Sequence, residues 1–432
     1  MTNSQIDKYR WALLLLQIVI GSVCTFVYIL SVYFGPIEAS LGWSIDKMIL
    51  TFTVAMWMGT PSFIVAGILR DKFGNRNCIF AGGIFYGIFI VASAFAPSVE
   101  IFIFLQGVCG AFCMFLLQSV GYANAGMFFP DKRGLATGLL MAGMAVGGAI
   151  MPPVAVFLMG SVGIMSSIAV QGGIYAALIV VCGLFMINPR EGYKPAGWHP
   201  EELSAVKSSE TGVDTPWHKM IKTSAFWMIL FTLAFINVAP NMAMSNTAGM
   251  AMSALGIDDM SAALFVSETT IMTGVSGIFV GLFADKIGSF KTLAGAAVIE
   301  VIVILIGSTA GAGSPLAFGC VIAALGIGYG AVTTVYPVLT MNAFGEKHFG
   351  VNYGVLGING LICSTIAPQL TVQFPVYTGL MVAAAFAVVG FFLAIGAQKA
   401  VASFTSKGKA ELAAQQSQEA AAPVSKEEGN NE

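Results

Sequence analysis

Charge is what this chain has least of. Lys and Arg number 20 and Asp and Glu 22 in 432 residues, so charged side chains make up 10 %. Soluble domains carry about 25 %. Hydrophobic residues make up 57 %. That balance excludes a soluble enzyme, a disordered chain and a nucleic-acid binder, none of which can keep so much apolar surface from water. Histidine is nearly absent. His199, His218 and His348 all fall between apolar stretches, so no histidine relay crosses them. The seven cysteines (24, 78, 109, 113, 182, 320, 363) lie inside apolar stretches without metal-ligand spacing and read as small buried hydrophobes. No metal and no cofactor are expected. A Gly-rich Lys-Ser/Thr phosphate loop is missing, so ATP is not the implied energy source. Ser, His and carboxylates form no nucleophile–base set, which disfavours a membrane enzyme.

What the chain does have is long apolar runs. A membrane helix needs roughly 20 mostly apolar residues. Twelve such runs are readable, at 11–34, 48–70, 77–96, 99–128, 134–159, 164–187, 225–250, 261–284, 292–312, 314–343, 351–373 and 376–398. The first is too long for a signal-peptide core and has no clean cleavage site after it. The runs are continuous rather than alternating, which argues against a β-barrel. The fold expected is an all-α membrane protein of two six-helix bundles. Residues 1–187 form the N-terminal bundle, 188–224 a cytoplasmic linker, 225–399 the C-terminal bundle and 400–432 a disordered cytoplasmic tail. With the N-terminus inside, nineteen of the twenty Lys and Arg fall on the cytoplasmic side, and only Lys47 lies outside. The positive-inside rule then places both termini in the cytoplasm of a plasma (inner) membrane protein.

The two halves repeat each other. Gly67-Ile-Leu-Arg-Asp71-Lys72-Phe-Gly74-Asn-Arg76 follows the second run, and Gly281-Leu-Phe-Ala-Asp285-Lys286-Ile-Gly288-Ser-Phe-Lys291 follows the eighth, 214 residues later. Phe129-Pro-Asp131-Lys132-Arg133-Gly134 after the fourth run is echoed by Phe344-Gly-Glu346-Lys347-His348-Phe-Gly350 after the tenth. A duplicated six-span unit is a transporter architecture. Gly67 and Gly281 are expected to let a neighbouring helix approach closely. Asp71 and Asp285, set among Lys72, Arg76 and Lys286, can accept from a helix N-terminus. The motif then works as a conformational latch; as a bare charged turn it would only fix topology, and its duplication favours the latch.

These residues resemble the major facilitator superfamily over essentially the whole membrane region. The G-x-x-x-D-[RK]-x-G-x-[RK] loop is that superfamily's hallmark. Tyr33-Phe-Gly-Pro36-Ile37 with Leu41-Gly42-Trp43-Ser44 looks like monocarboxylate porters and oxalate/formate antiporters. Phe129 to Ala136, Thr223-Ser-Ala-Phe226-Trp227, and Phe344-Gly345 with Asn352-Tyr353-Gly354 are similar to the oxalate/formate group. The resemblance implies a secondary active transporter in which two bundles rock about a midplane site. Spans 1, 4, 7 and 10 would line the cavity, and 2, 5, 8 and 11 would form the bundle interface. The implied substrate is a small mono- or dicarboxylate, moved by proton symport or anion exchange, in a monomer whose partners are the lipid bilayer, the solute, and protons or a counter-substrate. Relatives that carry carboxylates usually place a cation in span 8 and a Lys in span 11. Here those positions fall at Gly277 and near Asn359-Gly360, and no Lys or Arg lies deep in any run.

Two acids do lie deep: Glu268 in span 8 and Glu300 in span 9. A charged carboxyl at mid-membrane costs about 2.5–3.5 kcal/mol or more, so it is rarely accidental. Glu268, on a helix expected to reach the cavity, is the candidate for proton or cation coupling; its alternative is a protonated acid bonded between helices. Glu300 lies on a span expected to be peripheral, and a structural role is favoured there. The candidate substrate-binding residues are Tyr33, Gln118, Tyr122, Asn241, Tyr336 and Asn359. Gln17, Thr25, Tyr28, Asn124, Asn237, Asn246, Thr333, Thr334, Thr340, Asn352 and Gln369 share their spans. Each serves equally well as a helix–helix hydrogen bond. Pro240, amid three Asn of span 7, is expected to permit a kink suited to a gate. A carrier of a neutral or cationic solute recognised through Glu268, and a transport-dead membrane sensor, are the competing functions.

Overall fold

The computed structural model describes residues 3–129, 133–187, 214–309, 313–345 and 348–421, and every regular element among them is helical. A bilayer demands this, because each backbone N–H and C=O must find its partner within the segment. Eleven helices are long and apolar enough to cross a membrane. Spans 1 and 3–6 are Tyr9–Ile29, Lys72–Ser93, Val99–Ala125, Gly138–Val162 and Ile164–Phe185. Spans 7–12 are Ser224–Leu255, Asp259–Ala284, Ser289–Thr309, Pro315–Phe344, Val351–Gln373 and Val376–Gly408. Span 2 is the pair Ile45–Trp57 and Gly59–Arg70, bent by 40°. All twelve expected stretches are thus occupied. Most of the expected linker, residues 188–213, lies outside the described residues, as do 422–432 of the expected tail. The last helix itself continues to Ala421, past the end expected for its span. Its added residues are rich in Ala, Gln, Glu and Lys, strong helix formers that prolong a helix already nucleated in the membrane.

The repeated loop has one backbone solution in both halves. Gly74 sits at φ 80°, ψ 161° and Gly288 at φ 92°, ψ 147°, a region that disfavours any residue with a Cβ. Each reverses the chain between two spans. Span 1 runs on through turns at Cys24-Thr25 and Leu30 into Ser31–Leu41. Span 7 breaks at Asn237. Pro240 accounts for that place, because it offers no N–H to the carbonyl of Ile236.

The halves meet away from the chain termini and at mid-depth. Val32 of the first segment packs into the C-terminal core, and Met244 of span 7 packs into the N-terminal one. Thr53 Oγ1 of span 2 donates to Ser364 O of span 11 at 3.0 Å, and Trp57 Nε1 to Thr365 Oγ1 at 3.2 Å. The glycines of span 5 give it a smooth face: a Cβ on Gly147 would collide with the Ser22 carbonyl of span 1, and one on Gly148 would stand 2.5 Å from Thr270 Cγ2 of span 8. The expected close approach at Gly67 and Gly281 is not seen. Among the described residues nothing lies within 4 Å of a Cβ on Gly67, and Gly281 meets only Thr334 Cγ2 at 3.9 Å. Tight glycine contacts are made elsewhere, as at Gly147 of span 5 and at Gly326 of span 10, whose Cβ would stand 2.5 Å from the Thr269 carbonyl of span 8.

The cores of the two halves differ. The N-terminal half has one continuous cluster of buried apolar side chains. The C-terminal half has two. One holds Val238, Ile304, Leu325 and Cys363; the other holds Ile236, Ala297, Ala331 and Leu356. Between them, at one level of spans 7, 9, 10 and 11, run Asn237, Glu300, Gly328 and Asn359. A polar seam therefore crosses this half.

Candidate functional site

Gln118 and Tyr122 of span 4 line one cleft together with Gln17, Gly21 and Cys24 of span 1 and Leu140 and Met144 of span 5. Gln118 Nε2 donates to the Cys24 carbonyl at 3.5 Å, and the Tyr122 hydroxyl approaches Met144 Sδ at 3.9 Å. The cleft has about 20 Å³ of room, enough for a water. A set of phenols from both halves gathers beside it. Tyr122 neighbours Tyr28 and Tyr353, and the hydroxyls of Tyr28 and Tyr329 interact across the two halves. The Tyr336 hydroxyl donates to the Tyr353 carbonyl, with the two rings stacked at 4.2 Å. Spans 1, 4, 10 and 11 thus deliver hydroxyl and amide groups to the middle of the molecule, none of them charged.

The other candidates are engaged elsewhere. Tyr33 is fully buried within the N-terminal bundle, where its hydroxyl accepts from Ser167 Oγ of span 6 at 3.2 Å. Asn241 Nδ2 donates to the Asn237 carbonyl at 2.9 Å and to Cys363 Sγ at 3.3 Å, tying span 7 to span 11. Asn359 Nδ2 donates to the Leu356 carbonyl at 2.6 Å. Glu268 is half-buried and faces Gly319 in the half of span 10 remote from the termini, outside the phenol cluster. Asn352, fully buried, donates to the Thr215 carbonyl at 2.8 Å while Thr215 N donates to Phe344 O at 3.0 Å. It anchors the end of the linker to the span 10–11 turn.

Sequence reasoning missed Tyr329 and Tyr353 as members of the cluster. Tyr329 was legible as a lone phenol between glycines in Gly326-Ile-Gly328-Tyr329-Gly330, and Tyr353 sits inside the Asn-Tyr-Gly motif. In the repeated loop, Lys72, Arg76 and Lys286 are exposed, and the side chains of Asp71 and Asp285 lie outside the described residues. Arg76 Nη2 donates to the Leu184 carbonyl at 3.4 Å, and its guanidinium stands 5.8 Å from the Phe80 ring. Asn75, between Gly74 and Arg76, donates to Asn124 Oδ1 and so ties this loop to span 4. Asn124 is therefore a structural link. Lys47 pairs with Glu100 Oε1 at 3.1 Å.

Among the described residues no group of three or more metal-ligating side chains converges. Two breaks in span 7, at Asn237 and at Asn246 (φ −156°, ψ 39°), and a π-helical turn at Phe104–Gly110 in span 4 mark where the cavity-type spans depart from a regular ladder. Such departures cluster at functional sites.

Residues 16–368 match the sequence profile of the Major Facilitator Superfamily. An uncharacterized MFS-type transporter of Escherichia coli, YhjX, is 24 % identical over 375 residues, covering 84 % of this chain and 88 % of that one. The oxalate:formate antiporter of Oxalobacter formigenes is 24 % identical over 346 residues, 80 % of each chain. The crystal structure of a bacterial homolog of the human lysosomal transporter Spinster, inward-facing and unoccupied, superposes with a TM-score of 0.68 at 15 % identity, over 92 % of this chain and 98 % of that one. With its twelve spans, its duplicated loop and its uncharged central site, this chain belongs to the Major Facilitator Superfamily and is a multi-pass membrane transporter, not an enzyme.

Proposed function

We propose that this carrier moves a small mono- or dicarboxylate across the plasma membrane by alternating access, as a monomer with both termini in the cytoplasm. The observation that carries the reading is the chemistry of the centre. Gln17, Gln118, Tyr122, Tyr28, Tyr329 and Tyr353 offer neutral donors from both halves, and no Lys or Arg lies deep in the spans. Amides and phenols orient a carboxylate by hydrogen bonds. They do not neutralise it, so its charge is balanced by a proton in symport or by the returning anion in exchange. The oxalate:formate antiporter, a relative across 80 % of the chain, supports the substrate class. Tyr336 and Asn359 act on the site through Tyr353 and span 11, Asn241 through the bend of span 7, and Tyr33 by holding span 1 to span 6. The repeated loops, with Asp71, Lys72 and Arg76 in one half and Asp285 and Lys286 in the other, latch the halves in the conformation opposite to this one, where Gly67 and Gly281 come into contact. Glu268, half-buried at the far end of span 8, exchanges the coupling proton.

A second reading is favoured by Glu268 alone: its carboxylate would recognise a cationic or neutral solute. A thermal-shift screen of the purified protein separates the two. Stabilisation by formate, oxalate or lactate, and by no amine, is expected. Stabilisation by amines alone, lost in Glu268→Gln, overturns the carboxylate reading.

A further inference from the structure

Glu300 is 0 % exposed, and both of its carboxyl oxygens lack a hydrogen-bond partner. It sits in the polar seam of the C-terminal half, one helical turn from Ala297 in one apolar cluster and from Ile304 in the other. Its carboxyl rests in a notch that only glycine leaves open. A methyl group on Gly328 of span 10 would stand 3.1 Å from Glu300 Oε2 and 3.0 Å from Pro240 Cγ of span 7. Gly328 thus stands between the acid and the proline that breaks span 7, close to both.

Among the described residues no other charge answers it. Span 7 carries no ionisable side chain. In span 8, Glu268 faces Gly319, nine residues from Gly328 along span 10. In span 10, Tyr329 interacts with Tyr28, Tyr336 with Tyr353, and Cys320 is exposed. In span 12, the Tyr377 hydroxyl accepts from Gly313 N, and Lys399 is exposed. In span 11, Cys363 pairs with Asn241. On span 9 itself, Lys291 is exposed near the helix start. A charged carboxylate in a dry site without a partner costs several kcal/mol, whereas a proton removes most of that penalty. A metal ion is a poor fit, because it needs several oxygen ligands and the notch is filled by the carboxyl itself.

We propose that Glu300 is a proton-binding site built into the seam, occupied when spans 7, 9 and 10 close on it as here and emptied when span 7 swings at Asn237–Pro240 and admits water. The proton reaches the carboxyl from water entering at the bend and leaves by the same route, so that one is bound and one released per conformational cycle. This role is independent of which solute the carrier takes, and it assigns span 9 an active part.

The test is infrared difference spectroscopy on the full-length protein in lipid, between mildly acidic and alkaline pH, in H₂O and D₂O. A carboxylic-acid carbonyl band at the non-hydrogen-bonded, high-frequency end of its range is expected, shifted in D₂O and missing from Glu300→Gln. The pH profile of uptake by Glu300→Gln is expected to differ from wild type in the part that Glu268→Gln leaves unchanged. A carboxylate band in place of the acid band overturns the proposal. So does an acid band at Glu300 combined with a wild-type pH profile in Glu300→Gln, since the acid would then be a static filler. Should Glu300→Gln not fold, Gly328→Ala serves, because it displaces the carboxyl and must move the same band. The spectroscopic readout needs no substrate, so its failure is distinct from failure of the carboxylate reading.

Discussion

The two halves of this molecule share a frame and differ in what they enclose. Gly74 and Gly288 turn the chain through nearly the same dihedral angles 214 residues apart. Around those turns, the N-terminal half closes over one continuous apolar core, whereas the C-terminal half is split by a seam of Asn237, Glu300, Gly328 and Asn359. In the first half some buried polar groups pair with one another, as Tyr33 does with Ser167 and Gln106 with Ser93, while the Gln171 amide and the Tyr175 hydroxyl are buried without a partner. The second half buries a carboxyl with no partner and a helix broken at two points. A seam of small and polar residues is where packing yields most easily. Duplication supplied two similar bundles; a fully buried carboxyl sits in one of them.

That contrast can be broken by substitution. The largest effect is expected from Gly147→Leu, which drives a side chain into the Ser22 carbonyl within the N-terminal half and costs about 3 kcal/mol or more. A melting temperature equal to wild type would show that this half yields as readily as the other. Gln118→Ala is expected to lower transport about tenfold, the loss of about 1.4 kcal/mol of binding, while leaving the melting temperature in place. Tyr33→Phe, which removes the bond to Ser167 outside the cleft, is expected to lower transport less than Gln118→Ala does. Asn352→Ala removes the donor to Thr215 O and is expected to destabilise the C-terminal half by about 1–3 kcal/mol, read from hydrogen exchange at residues 344–356. The smallest effect belongs to Lys47→Ala, whose pair with Glu100 is exposed and screened by solvent, so an unchanged melting temperature is expected.

The spans, the repeat and the family were legible in the sequence because each rests on a signal that adds along the chain: apolar runs, cation placement and a motif met twice. The site was legible only in part. A polar residue in an apolar helix looks the same whether it turns to a cavity or to its own ladder. Gln118 and Tyr122 turned to the cleft, while Asn359 turned back on Leu356 and Tyr33 on span 6. Rotation about the helix axis decides between them, and near-uniform hydropathy hides it. Glu300 illustrates the same limit from the other side. Its span reads as peripheral, yet it points inward, and the seam it belongs to draws one residue from each of four spans. At Gly67 no described residue comes close, and the sequence motif by itself carries no information on which neighbour its glycine meets.

The central claim is a carrier whose uncharged centre takes a small carboxylate and balances its charge by a proton or a second anion. It is tested most directly in proteoliposomes, by measuring uptake of labelled formate and oxalate with and without an inward proton gradient or an internal load of the same anions. The account predicts that one of these two conditions drives accumulation, and that Tyr122→Phe together with Gln118→Ala abolishes it. Equal, passive entry under every condition, alongside accumulation of an amine that depends on Glu268, would contradict it.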